Sequence, residues 1–98
     1  MASTKEFKDY ILDQLSLVDD VTCRPMMGEF LLYADGVLFG GIYDDRLLVK
    51  IVPGFNDGFG MSEAIPYRGG KAMYMVEDVD DKEKLAEIVR ETCEGLKK

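Results

Sequence analysis

Met27-Gly-Glu-Phe-Leu-Leu-Tyr-Ala-Asp-Gly-Val-Leu-Phe-Gly-Gly-Ile-Tyr-Asp-Asp-Arg-Leu-Leu-Val-Lys-Ile-Val52 decides the fold of this chain. Asp35-Gly36 sits between two apolar runs, a strong short-range signal for a two-residue hairpin turn. Gly36 supplies the positive φ that such a turn needs. Asp44-Asp45 marks a second reversal, with a weaker signal because neither residue is glycine. Three antiparallel strands are expected, over about 27–34, 37–43 and 46–52. Two-residue turns would set Tyr33 opposite Leu38, Ile42 opposite Leu47 and Leu38 opposite Ile51. Simple alternation then gathers Leu31, Tyr33, Leu38, Ile42, Leu47, Val49 and Ile51 on one face. It leaves Phe30, Leu32, Val37, Phe39 and Leu48 on the other, with Arg46 and Lys50 at its margin. Both faces are apolar, whereas a sheet wet on one side alternates apolar and polar residues. Something must cover the second face. Gly40-Gly41 in mid-strand calls for a β-bulge or a close helix crossing.

Outward from this ribbon, both chain ends read as helices. Ser3 and Glu6 have capping-box spacing. Phe7, Tyr10, Ile11, Gln14, Leu15 and Val18 follow with helical periodicity, ending near Asp19-Asp20. A more extended stretch containing Pro25 leads into the ribbon. At the other end Asp80 is the expected cap of a helix whose stripe is Leu85, Ile88, Val89, Thr92, Cys93 and Leu96. Between ribbon and helix, residues 53–70 hold five of the ten glycines and read as a long excursion with a helical turn near Ser62–Ile65. Lys71–Val76 reads as a fourth strand. The expectation is one α+β domain over residues 1–98: two layers, an antiparallel meander of four to five strands flanked by N- and C-terminal helices.

Composition narrows the function classes. Nineteen acidic against twelve basic residues give a formal charge of −7, a field that repels nucleic-acid phosphates. Direct DNA binding would need a local basic surface built by Arg24, Arg46, Lys50, Arg68 and Lys71. No apolar run approaches the length of a membrane span. Cys23 and Cys93 form no C-x-x-C pair and suit a reducing compartment, so the chain is expected in the cytoplasm.

The chain has no histidine, which removes the commonest general base, nucleophile activator and metal ligand together. Two distant cysteines cannot supply a zinc set. The acidic pairs Asp19-Asp20, Asp44-Asp45 and Asp80-Asp81 fall at turns and caps, which explains them without chemistry. Asn56-Asp57-Gly58 lacks the ligand spacing and closing Glu of a calcium loop. Gly58-Phe59-Gly60 and Arg68-Gly69-Gly70-Lys71 match neither the dinucleotide nor the phosphate-loop fingerprint. Cys23 beside Arg24 is either a thiol of lowered pKa or an ordinary packed one. Met26-Met27 and Met73/Met75 are either core filling or an adaptable partner surface. No catalytic, cofactor or metal site is expected, and the chain does not read as an enzyme.

Taken in order, the capped helix, Arg24-x-Met-Met-Gly28, Leu32-Tyr33-x-Asp-Gly36-Val-x-Phe39-Gly40 and Asp45-x-Leu47-x-Val-Lys50 resemble the N-terminal domain of the TfoX/Sxy competence regulators. Tyr67, Gly70, Met73-Tyr74-x-Val-x-x-Asp and Leu85-Ala86 extend the resemblance over nearly the whole chain. Met27 stands where that family usually has Phe, and Glu29 where it has a second Gly. The helical C-terminal domain of the full-length regulators has no counterpart in these residues. The resemblance implies a two-layer fold related to secretion-chaperone-like domains. It also implies a link to transcriptional control of competence through protein contact, and it brings no catalytic residue.

The leading expectation is therefore a regulatory protein-interaction domain, with a homodimer through the second sheet face as one form of it. The alternatives are a direct DNA-binding transcription factor and a small-molecule binder using residues 53–70. The expected contact residues are Arg24, Phe30, Leu32, Phe39, Tyr67, Arg68 and Lys71.

Overall fold

A computed structural model describes residues 3–52, 62–66 and 68–97. Among them, two helices pack on one face of a six-stranded antiparallel sheet. Helix α1 spans Lys5–Gln14 and runs on into a 3₁₀ turn over Leu15–Leu17. The strands are β1 (Val21–Met26), β2 (Glu29–Ala34), β3 (Val37–Tyr43), β4 (Arg46–Val49), β5 (Ser62–Ala64) and β6 (Met73–Val76), and α2 spans Lys82–Lys97. Their order across the sheet is β1-β2-β3-β4-β6-β5.

The meander is one hairpin longer than the sequence suggested. Met27-Gly28 is a turn, not the start of a strand, and it pairs Met26 with Glu29. All three tight turns have positive φ at both central residues: Met27 (50°) and Gly28 (85°), Asp35 (50°) and Gly36 (77°), Asp44 (52°) and Asp45 (54°). That is the type I′ geometry whose twist matches the flanking strands. Pro25, in edge strand β1, removes a backbone donor from the open side of the sheet.

The expected pairs Tyr33–Leu38 and Ile42–Leu47 are present. Between them the register slips at Leu32/Tyr33, so Leu32 faces Gly40 and Phe39 is the extra residue of a bulge. This slip re-sorts the faces. Phe30, Leu32, Phe39, Ile42, Leu47 and Val49 lie together on the side covered by Ile11, Leu15, Leu85, Ile88 and Val89. Leu31, Tyr43, Leu48 and Met73 pack on the opposite side, with Met26, Ala64 and Met75. The bulge also explains Gly40. A Cβ there would stand 2.1 Å from the Leu48 carbonyl oxygen and 2.9 Å from the Val49 Cα, both immovable backbone atoms.

Three smaller expectations are corrected. Thr4, not Ser3, caps α1, accepting from the Phe7 N–H at 3.1 Å. Asp81, not Asp80, caps α2, accepting from the Lys84 N–H at 3.1 Å, while Asp80 accepts from the Tyr10 hydroxyl. Ser62–Ala64 is a short edge strand on β6 rather than a helical turn, because each of its residues finds a ladder partner there. The α2 stripe stands as expected, with Leu85, Ile88, Val89 and Thr92 buried.

Candidate functional site

Among the described residues, the helix-covered face is closed and the opposite face is not. A groove of about 690 Å³ opens there. Met26 of β1, Leu31 of β2, and Leu38 and Tyr43 of β3 line it on one side, and Met73 of β6 on the other. Ile51 and Pro66 complete its apolar lining, and Lys50 and Lys71 are its only charged lining residues among those described. Alternation in β4 explains Lys50. Leu48 points to this face and Val49 to the helices, so the next residue returns to the groove side.

The groove's polar character is cationic. Among the described residues, neither lysine ammonium has an ion-pair partner; the ion pairs present are Lys8–Asp9, Lys84–Asp78 and Lys97–Asp35. Arg24 lies on the same sheet face, its guanidinium 5.9 Å from the centre of the Tyr33 ring. Arg46 is committed to the fold, donating from Nε to the Tyr43 carbonyl at 3.2 Å and from its terminal nitrogen to the Ile65 carbonyl at 3.3 Å.

The expected contact residues separate cleanly. Lys71 lines the groove. Arg24 and Arg68 are exposed, and neither is part of the lining. Tyr67 lies outside the described residues. Leu32 and Phe39 are fully buried beneath the helices, so neither offers a surface to a partner. Phe30 is half-buried against the same core, with the Lys8 ammonium 5.6 Å from its ring centre. The misassignment of these three has one cause, the Phe39 bulge, which exchanges the faces on one side of Leu32. The residues missed in consequence are Leu31 and Leu38, which form the floor.

A second polar feature fixes the sheet's rim. The Glu29 carboxylate accepts from the Ser3 N–H at 2.9 Å, the Ser3 hydroxyl at 2.6 Å and the Asp44 N–H at 3.1 Å. Asp45 accepts from the Thr4 N–H at 2.7 Å and donates its own N–H to the Ser3 hydroxyl at 3.0 Å. This clasp ties the start of α1 to the β3–β4 turn. It spends its donors and acceptors internally, as structural networks do.

The thiols are not activated. Both are free, and burial pushes the Cys23 and Cys93 thiols up, with Lys8 and Lys97 opposing. The described residues contain no group of three or more His, Cys, Asp or Glu placed to hold a metal ion. No described helix is long and apolar enough to cross a membrane.

Comparison with known proteins identifies the family. Residues 13–96 match the model of the TfoX N-terminal domain. The chain is also similar to an uncharacterized 12.7 kDa protein in the trpE 5′ region of Spirochaeta aurantia. The two are 28% identical, over 98% of this chain and 85% of that protein. The chain belongs to the TfoX N-terminal domain family.

Proposed function

We propose that this chain is a non-enzymatic regulatory module that acts by contacting another protein in the cytoplasm, within the transcriptional control of natural competence. Family membership supports the regulatory setting. The observation that carries the contact is the second sheet face, where the helices leave an apolar groove open between β1, β3 and β6. Apolar concavities of this kind mark sites of binding. The test is recovery of partners by the tagged full chain from its native cell, wild type against Leu31→Asp. A charge on the groove floor abolishes specific recovery if the partner seats there; equal recovery moves the contact off the groove, and no partner recovered by the wild type sinks the reading. Size-exclusion chromatography with light scattering separates a second copy from a different protein.

The groove volume favours a second reading, a small-molecule site, since pockets for such ligands span roughly 300–1,000 Å³. Lys71 would then meet an anionic group. A thermal-shift screen of metabolites reads this directly, because a ligand selective for the folded state raises the melting temperature.

A further inference from the structure

We infer that the groove receives an acidic, apolar peptide segment of a partner protein, its apolar side chains on the floor and its carboxylates at Lys50 and Lys71. This rests on the protein-contact reading above and names the partner's chemistry.

The argument is one of complementarity. The protein carries a net charge of −7, yet the described lining of this groove contains two lysines and no carboxylate. Those ammonium groups are unpaired among the described residues, while Lys8, Lys84 and Lys97 each meet an acid. Two acids close to the groove along the chain are already used. Glu29 and Asp45 are spent on Ser3, Thr4 and the Asp44 N–H. The surface is therefore locally cationic on an acidic molecule, and it selects a partner of opposite sign. The floor decides what else that partner carries. Met26, Leu31, Leu38, Ile51 and Met73 offer nothing to a polar chain but gain from covering aliphatic or aromatic side chains. The two methionines are unbranched and adapt to more than one side-chain shape.

Two other occupants fit less well. A second copy docked about a two-fold axis would set the same lysines against each other across the interface. A nucleic acid needs many phosphate contacts, and two lysines over an apolar floor supply few.

A random-peptide phage library panned against the full-length chain tests this, followed by fluorescence anisotropy with the enriched peptide. Two doubly substituted chains with the same net charge accompany the wild type: Lys50→Glu with Lys71→Glu, and Lys5→Glu with Lys82→Glu at exposed positions outside the groove lining. Circular dichroism and urea midpoints establish that both fold. The expected peptides interleave Asp or Glu with Leu, Ile, Phe or Met. Their affinity falls about tenfold in the groove variant and by no more than about twofold in the control. Enriched peptides that bind both variants alike would sink the groove and leave a protein-contact function elsewhere on the chain. A basic or neutral consensus overturns the chemistry. No enriched peptide, together with no partner recovered from the native cell, sinks both readings. A dimer that the groove variant dissolves, or a DNA duplex bound at low salt by the wild type alone, assigns the groove to another occupant and overturns the proposal.

Discussion

The two faces of the sheet have nearly the same apolarity and opposite fates. On one, Leu32, Phe39, Ile42, Leu47 and Val49 are at most 1% exposed beneath the helices. On the other, Leu48 is fully buried and Tyr43 and Met73 nearly so, but Leu31 and Leu38 are only part-buried in a groove and Ile51 is 40% exposed. The same kinds of side chain stabilise the fold on the first face and stay available for binding on the second. Hydrophobicity alone does not separate a core from an interface.

Adjacent residues test this most sharply. Phe39→Ala should cost about 3–5 kcal/mol, because a fully buried ring leaves a cavity under both helices. Leu38→Ala, one residue earlier on the groove side, should cost about 1 kcal/mol or less. Urea denaturation of the pair measures both. Equal losses would mean that the groove face is as much a core as the other.

The bulge that separates these neighbours has its own signature. Gly40→Ala should cost about 2–3 kcal/mol, the upper part of the range for overpacking, since the new Cβ meets backbone that no rotamer change can move. A loss under about 0.5 kcal/mol would show that β3 and β4 separate easily at this point.

How much of this was legible follows from the same residues. Asp35-Gly36 announced its turn because glycine there relieves a positive φ, and the ends of the domain announced their helices by caps and stripes. Met27-Gly28 makes the same turn, yet the pattern there reads as strand, because apolar Met27 masks the signal; at the turn it is 97% exposed. Gly40-Gly41 did call for a bulge. Strict alternation still sorts the faces as if the strand were regular, and one inserted residue reverses every assignment beyond it. Alternation thus puts Leu32 and Phe39 on the face in need of a cover, and Leu31 and Leu38 on the other. The composition of residues 53–70 points to Lys71. Lys50 reads only as a marginal charge, because its place in the same groove as Lys71 depends on β4 pairing with β6.

At the rim, Glu29→Ala should cost about 1–2 kcal/mol. Its carboxylate gathers the Ser3 N–H, the Ser3 hydroxyl and the Asp44 N–H; the Ser3 N–H keeps the Gly28 carbonyl, but the part-buried Ser3 hydroxyl loses its acceptor, which is costly. Thermal unfolding monitored at 222 nm suffices. An unchanged melting temperature would mean that water replaces the carboxylate freely.

The smallest expected effect separates the two best-formed turns. Asp35-Gly36 and Asp44-Asp45 share the same backbone shape, but only the first has glycine at its second position. On turn geometry alone Asp45→Gly should stabilise the protein, since glycine adopts positive φ without a Cβ penalty. The Asp45 carboxylate, however, accepts from the Thr4 N–H and hydroxyl, joining this turn to the first residues of α1. Losing those exposed bonds offsets the relief, and the expected net change lies within about 0.5 kcal/mol. A gain above about 1 kcal/mol would show that the Thr4 contact adds little and that the second aspartate is kept for something other than stability.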